Sequence, residues 1–286
     1  MPMLRDGTTG DWIGTFAGHK GAVWSCRLDA TGSLAATAGG DFSAQVWDAI
    51  TGQSLYQFPH KHIVKTVDFS PSSQYLATGG HEGILRIYDL LEPKKAPLEI
   101  VQNAKEKITI NKCTWLSDTV ILVGCEDGIV RFWQFPEAGP MSSSIPTEPI
   151  KQLETEDKIR DLEISYKVPG VGDVLTVAAG DKVYFFNFQD YSLIHVYKMP
   201  IHFREEGGAS LHPDGSKFIA GGSDLWVRVF DFKTGKELGC LKGHHGPIRC
   251  LRYAPDGKLY ATGSEDGTIR LWKTDPEWSE LKIKRK

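Results

Sequence analysis

Three sets of residues in this sequence combine an imidazole, a hydroxyl and a carboxylate, the groups that hydrolases use to activate a nucleophile. An aromatic residue follows the acidic residue in each set. In chain order the sets are His19, Thr37, Asp41 and Trp47; His60, Thr78, Glu82 and Tyr88; and His244, Thr262, Asp266 and Trp272. Taken one at a time, each set could support acid–base or nucleophilic chemistry.

The spacing within the sets argues against that chemistry. In each set the histidine lies 22 residues before the acidic residue, the threonine lies four before it, and the aromatic residue lies six after it. An enzyme needs a nucleophile, a base and an orienting acid once, at one site, whereas these residues recur at fixed offsets. We therefore predict that they are structural, that the chain has no catalytic residues, and that it is not an enzyme.

The elements that position such a set can be recognised in residues 243–273. Apolar strands are expected at Ile248–Tyr253 and Leu259–Thr262, with a turn at Pro255–Gly257, and a second turn leads into a strand that ends at Trp272. A Gly-His pair in front and a Trp near the end make this unit resemble a WD40 repeat. The resemblance implies a buried hydrogen-bond chain from acid to histidine, from histidine to threonine, and from threonine to the indole N–H.

Related units follow one another along the chain and predict one all-β domain. The expected fold class is a WD40 β-propeller with the seven-bladed family pattern, of which we predict six complete blades plus the second half of an amino-terminal blade in this chain. The domain spans residues 1–286, with a partial blade at 1–18 and repeats at about 19–59, 60–103, 104–154, 155–199, 200–242 and 243–284. The outer strand of the last repeat is expected at Trp278–Ile283. A Pro/Ser-rich stretch at 135–148 is predicted to be a mobile surface loop.

Composition limits the classes of function. The 286 residues carry a formal net charge of −3, which disfavours a general nucleic-acid-binding surface. The sequence has no apolar run of about 18 residues, no signal peptide core and no phosphate-binding GxxxxGK[ST] loop. Its five cysteines include no Cys-x-x-Cys pair, so we expect buried reduced thiols. We expect no metal, no cofactor, no small-molecule substrate and no membrane association, and a protein of the cytoplasm that is also nuclear.

Three stretches carry a closer resemblance. Residues 10–24 (GDWIGTFAGHKGAVW), 60–70 (HKHIVKTVDFS) and 85–90 (LRIYDL) are similar to the family of serine/threonine kinase receptor-associated proteins, also called unr-interacting proteins. The resemblance implies a protein-interaction scaffold that joins the SMN complex through its Sm-fold Gemin subunits and serves spliceosomal snRNP assembly and mRNA splicing. It also implies a link to receptor-kinase signalling. The family begins earlier than this chain, so the missing half blade is expected to reflect truncation, an isoform or completion by another chain.

Two other functions stay open at this point. The WD40 subunit of translation initiation factor three has similar GHxGAVW-like openings, although the HKHIVKTVDF stretch favours the receptor-associated family. An enzyme of the propeller class would need an inward-facing set of groups that the repeat does not explain, and we identify none.

A candidate interaction surface follows from the repeat frame. Propellers bind partners mostly at the loops before the first strand and between the second and third strands of each blade. Counting five residues on from each histidine, and one back from each acidic position, gives Trp24, Lys65, His81, Glu126, Arg249 and Glu265. Aromatic and arginine side chains are favoured as interface anchors. The expected partner is another protein, with no direct sequence-specific contact to nucleic acid.

Overall fold

A computed structural model describes residues 1–103, 105–141, 146–203 and 207–274, and every regular element in these residues is a β-strand. Short runs rich in β-branched and aromatic residues, bounded by Gly, Asp, Ser and Pro, favour this outcome. The first ten strands are β1 Met3–Arg5, β2 Trp12–Thr15, β3 Val23–Leu28, β4 Leu34–Gly39, β5 Ser43–Asp48, β6 Ser54–Pro59, β7 Val64–Phe69, β8 Tyr75–Gly80, β9 Ile84–Asp89 and β10 Leu98–Val101.

The remaining strands continue the same pattern of short antiparallel segments. The next eight are β11 Ile110–Ser117, β12 Val120–Cys125, β13 Ile129–Gln134, β14 Lys151–Glu154, β15 Ile159–Val168, β16 Gly172–Ala179, β17 Lys182–Asn187 and β18 Leu193–Lys198. The last seven are β19 Gly208–Leu211, β20 Lys217–Gly221, β21 Trp226–Asp231, β22 Glu237–Lys242, β23 Ile248–Tyr253, β24 Leu259–Ser264 and β25 Ile269–Lys273.

The strands of the described residues pair in sequence order into antiparallel sheets. In chain order the sheets are β1–β2, β3–β6, β7–β10, β11–β14, β15–β18, β19–β22 and β23–β25. We number them sheets 1 to 7. Sheet 1 has two strands and sheet 7 has three, while the others have four. The outer strand predicted at Trp278–Ile283 lies outside the described residues.

Tight turns join the strands within a sheet, and their residues follow from backbone geometry. Gly83, in the turn between β8 and β9, has φ of 71°. A Cβ placed there would lie 2.7 Å from the carbonyl oxygen of Ile108. Glycine is therefore required at this turn both by its left-handed backbone and by the close approach of a neighbouring segment.

Residues Met1–Arg5 and Asp11–Leu162 form one compact unit. Its core consists of side chains packed between neighbouring sheets, with Val46, Val67 and Leu76 among those between sheets 2 and 3. A polar link crosses the same unit, because the carboxylate of Asp68 accepts hydrogen bonds from Arg27 Nε (3.2 Å) and from the Trp115 N–H (2.8 Å). Asp68 thereby ties β7 to β3 on one side and to β11 on the other.

Residues Asp6–Gly10 and Glu163–Lys286 form the second compact unit. Aromatic side chains fill the space between sheets 5 and 6, where the ring centroid of Phe185 lies 5.0 Å from those of Phe218 and Phe232. A carboxylate again bridges sheets, since Glu163 accepts hydrogen bonds from the Ser210 hydroxyl (2.8 Å) and the Leu211 N–H (3.0 Å). The two units thus use the same device of an apolar core plus a carboxylate bridge.

Two expectations from the sequence need correction or completion. The stretch 135–148 does not begin as a surface loop, because Phe135 is buried against Trp115 and Met141 packs on the same cluster. Residues 142–145 lie outside the described part, and the predicted mobility stays a prediction. The expectation of buried thiols is wrong for Cys26 and Cys250, which are exposed.

Among the described residues, no helix combines the length and the apolar character needed to cross a bilayer.

Candidate protein interaction surface

In sheet 2 the predicted set of His19, Thr37, Asp41 and Trp47 forms a continuous hydrogen-bond chain. The Nδ1 atom of His19 lies 2.9 and 3.0 Å from the two oxygens of Asp41, and its Nε2 atom lies 2.7 Å from the Thr37 hydroxyl. The indole N–H of Trp47 donates to the same hydroxyl at 2.8 Å. With Nδ1 donating to the carboxylate, Nε2 accepts the hydroxyl proton of Thr37.

The environment of Asp41 explains why its carboxylate stays ionised. Burial acts to raise the pKa, but the backbone N–H of Lys20 and the ring of His19 outweigh it, and the pKa of Asp41 falls below its ordinary value. Every polar atom of this set therefore has a partner within the set or in the adjoining turn. The arrangement holds β4, β5 and the loop before β3 together.

Sheet 7 repeats this geometry with His244, Thr262, Asp266 and Trp272. His244 Nδ1 lies 3.2 Å from an oxygen of Asp266, and Nε2 lies 2.7 Å from the Thr262 hydroxyl, which accepts from the Trp272 indole at 2.8 Å. The hydroxyl of Thr268 adds a contact of 3.0 Å to Nδ1. A hydrogen bond from Thr268 and the backbone N–H of His245 lower the pKa of Asp266.

The prediction for sheet 3 is wrong in one link. His60 lies 2.9 Å from the Thr78 hydroxyl through Nε2, but its Nδ1 contacts the Phe58 carbonyl at 3.0 Å and not the carboxylate of Glu82. Glu82 instead accepts from Arg86 at 2.7 Å and from the backbone N–H of Lys61. A charge-assisted bond to a guanidinium is stronger than a bond to a neutral ring.

The same arginine pairing recurs where the histidine–acid link is missing, and the sequence analysis did not identify it. Arg131 pairs with Asp127 in sheet 4, and Arg228 pairs with Asp224 at 2.6 Å in sheet 6. The spacing is visible in the sequence, because each arginine lies in the third strand, four residues after an acid in the turn before that strand. In sheet 4, Gln102 further replaces the histidine–threonine pair by accepting the Trp133 indole proton at 3.2 Å.

The imidazoles and carboxylates of the three sets all form hydrogen bonds, either with each other, as in sheets 2 and 7, or with a carbonyl and an arginine, as in sheet 3. Among the described residues, no group of three or more His, Cys, Asp or Glu side chains is arranged to hold a metal ion. The geometry therefore supports a structural role for the three sets.

Three of the candidate surface residues share one backbone feature. Trp24, Lys65 and Arg249 are each the second residue of a first strand, and the pairing with the second strand skips a residue at each of these positions. The skipped residue is a β-bulge, which turns a side chain out of the regular alternation of the sheet. Because all three residues lie at such a bulge, we expect their side chains to be directed toward the loops at the start of the first strand.

The other three candidates lie in the turns between second and third strands. His81 contacts the ring of His62 with centroids 5.1 Å apart, and Glu126 pairs with Lys158 at 3.2 Å and with Arg160 at 3.8 Å. In the second unit Glu265 pairs with Arg249 at 2.8 Å. These three turn side chains therefore contact residues in or just before a first strand.

Within the first unit, four candidates belong to one connected group. The ammonium of Lys65 lies 5.5 Å from the ring centroid of Trp24. Burial, followed by the ammonium of Lys65, lowers the pKa of His81, while the carboxylate of Glu126 acts in the opposite direction. Arg249 and Glu265 form a separate pair in the second unit.

Two further residues occupy equivalent positions and escaped the sequence analysis. Asn111 sits at the bulge of β11, and Arg160 is the second residue of β15. The repeat frame missed them because their repeats lack the histidine from which positions were counted. An aliphatic residue opening each first strand, as in Val23, Val64, Ile110, Ile159 and Ile248, is the signal that would have found them.

Comparisons with known proteins agree with this architecture. The profile of the WD domain, G-beta repeat, matches residues 10–48 and 235–273, and that of the DDB1- and CUL4-associated factor 12 beta propeller matches residues 51–176. Together with the all-β sheets, these matches define a WD40 β-propeller protein, and the predicted fold class is confirmed.

Comparison with individual proteins narrows the class to a family. The chain is 43% identical over 273 residues to the serine-threonine kinase receptor-associated protein of Mus musculus, covering 96% of this chain and 73% of that protein. It is 44% identical over 274 residues to the protein of that name from Dictyostelium discoideum, covering 95% and 87%. The chain belongs to the serine-threonine kinase receptor-associated protein family, which confirms the resemblance identified from the sequence.

A more distant similarity concerns the second candidate family. Subunit I of eukaryotic translation initiation factor 3 from Culex quinquefasciatus is 28% identical over 307 residues, covering 98% of this chain and 89% of that protein. The chain is thus a WD40 scaffold homologous to the receptor-associated proteins and a distant homologue of the initiation-factor subunit. WD40 proteins are generally non-catalytic scaffolds.

Proposed function

We propose that this protein is a non-catalytic scaffold of the SMN complex that serves spliceosomal snRNP assembly and thereby mRNA splicing. The observation that carries the proposal is the 43% identity to a receptor-associated protein over 96% of the chain, against 28% to the initiation-factor subunit. The expected partners are Sm-fold Gemin-type proteins. A scaffold with these partners works in the cytoplasm and in the nucleus.

The geometry supports a binding role over catalysis. The histidine–acid pairs of sheets 2 and 7 hold the structure together, with the His19 and His244 side chains fully buried. The candidate surface, in contrast, includes Trp24 and Lys65, which are half-buried and lie near the start of their first strands. Tryptophan is enriched among the residues that dominate the binding energy of protein interfaces.

Affinity purification of the tagged chain from its native cell, with and without RNase, tests the proposal. Sm-fold Gemin-type proteins that co-purify after RNase treatment are the expected result. Their absence in both samples would contradict the proposal. The charge reversals Lys65→Glu and Arg249→Glu test the candidate surface. If both residues contact the partner, each variant should recover less of it, and unchanged recovery in both would contradict the assignment of this surface.

Two other roles have specific support. The relatives' name records an association with a serine-threonine kinase receptor, and we propose receptor-kinase signalling as a further role on that ground. The similarity to initiation factor 3 subunit I favours translation initiation as the alternative. Recovery of initiation-factor subunits in place of Gemin-type proteins would promote that alternative.

A further inference from the structure

A line of contacts runs along the first strands of the first unit. Lys65 lies between Trp24 and Asn111, with its ammonium 5.5 Å from the indole centroid and 3.2 Å from the Asn111 side-chain oxygen. The amide of Asn111 donates in turn to the Ile159 carbonyl at 2.9 Å. The next residue is Arg160, so one line crosses β3, β7, β11 and β15. We call Trp24, Lys65, Asn111 and Arg160 the bulge row.

The contacts fix the Lys65 cation before any partner arrives. Lysine side chains normally lose rotamer freedom on binding, and immobilising such a side chain lowers the affinity. Here the indole face of Trp24 and the oxygen of Asn111 already hold the ammonium. Asn111 is itself buried and bonded to the backbone, so the support is rigid. A preorganised cation beside a half-buried indole has the character of an interface anchor.

The loops around the bulge row are basic once internal pairs are considered. Two carboxylates of these loops are neutralised by arginine, since Glu82 binds Arg86 and Asp127 binds Arg131. The exposed lysines of these loops are Lys20, Lys61, Lys105, Lys107 and Lys158. The other carboxylates of the same loops are Asp41, Glu106, Glu126, Glu156 and Asp157, and of these Glu126 pairs with Lys158 and Arg160. With Lys65 and Arg160 included, seven cations stand against five carboxylates, a small positive excess in a chain of net charge −3, and this excess favours an acidic partner.

We propose that the bulge row docks an acidic segment of a partner protein, with carboxylates directed at Lys65 and Arg160 and a side chain packed on Trp24. The inference rests on the scaffold role proposed above and gives the chemistry of its partner. A protein segment fits better than RNA because the carboxylate of Glu126 lies 3.8 Å from Arg160. This carboxylate would repel a continuous phosphate backbone, whereas a segment with spaced carboxylates can avoid it.

Binding of a labelled peptide to the full chain tests the proposal. The probe is a short fluorescein-labelled peptide of alternating glutamate and serine, followed by fluorescence anisotropy at low salt, with a lysine–serine peptide and an oligouridine of equal length beside it. We expect the acidic peptide to bind and Lys65→Met to weaken it about tenfold, whereas Lys65→Arg retains most of the binding. Lys95→Met is the matched control, because Lys95 is exposed, lies between β9 and β10 and pairs with Glu92.

The possible outcomes separate this inference from the proposed function. Equal melting temperatures for the Lys65 variants and the original chain establish that folding is unchanged. Failure of the acidic peptide to bind, binding that ignores Lys65→Met, or preference for the oligouridine would each overturn the proposal. If peptide binding fails while Gemin-type proteins still co-purify, only the bulge-row inference is lost. If the peptide binds as expected while those proteins are absent, only the SMN assignment is lost.

Discussion

Arg86 lies four residues after Glu82 and donates a hydrogen bond to its carboxylate at 2.7 Å. This contact replaces the bond that the acid makes to a histidine in sheets 2 and 7. Both side chains are largely buried, at 8% and 10% exposure. Arg86 also donates to Glu99 at 2.6 Å. The stability of sheet 3 therefore depends on an arginine that the repeat pattern does not contain.

Replacing Arg86 by Met should destabilise the protein by about 3 kcal/mol, because it leaves the buried Glu82 carboxylate without its cation. Urea unfolding followed by tryptophan fluorescence measures the change. Lys95→Met removes an exposed pair with Glu92 and should change the free energy of unfolding by less than about 0.5 kcal/mol. Equal losses in the two variants would show that the Arg86 pair contributes no more than a surface ion pair.

Thr37→Val tests the hydrogen-bond chain of sheet 2. The substitution keeps the volume but removes the hydroxyl that joins His19 to Trp47, so two buried polar atoms lose a partner. We expect a loss of about 1–3 kcal/mol in the free energy of unfolding.

Thr176→Val is the matched control for that experiment. Thr176 is also buried on a second strand, but its hydroxyl has no hydrogen-bond partner in the described part of the chain. Removing it should be neutral or slightly stabilising, since an unsatisfied buried hydroxyl costs free energy. A loss at Thr176 as large as that at Thr37 would mean that the cost arises from packing and not from the chain of hydrogen bonds.

His60 should make stability depend on pH below neutrality. Burial, then the nearby Arg86 guanidinium, lowers the pKa of His60 to about 4 in the folded protein, whereas an unfolded histidine titrates near 6.5. Between these values the unfolded state binds more protons, so stability from this group is fully present above pH ~6.5 and falls as the pH drops toward ~4. NMR titration of the His60 ring should report a midpoint near pH 4, and a midpoint near 6.5 would contradict this prediction.

How far the sequence predicted the structure varies from one sheet to the next. The offsets from His19 and His244 placed both hydrogen-bond chains, although Asp266 also has an arginine, Arg270, four residues after it. In sheet 3 the same offsets failed, because spacing alone does not say whether a carboxylate takes the histidine 22 residues before it or the arginine four residues after it. Glu82 takes the arginine, as the shorter Asp127 and Asp224 do, whereas Asp266 contacts the histidine although Arg270 has the same offset.

The candidate surface shows a second limit of the sequence. Trp24 and Lys65 could be selected by counting from a histidine, but their contact depends on a β-bulge in each of two strands and on packing between neighbouring sheets. Asn111 could not be reached in this way, since its repeat has no histidine. Contacts between sheets join residues more than 40 positions apart, and a local repeat pattern carries no information on them.

Cysteine labelling gives a test of burial across both units. Burial raises the pKa of Cys113 and Cys125 to about 12, so neither forms a thiolate at pH 8 and neither is accessible. Cys26 and Cys250 are exposed and should react with iodoacetamide in the folded protein. Peptide mass spectrometry should therefore find label on Cys26 and Cys250 within minutes and on Cys113 and Cys125 only after unfolding in urea. Label on Cys113 before Cys26 would mean that sheet 4 opens more readily than its buried core allows.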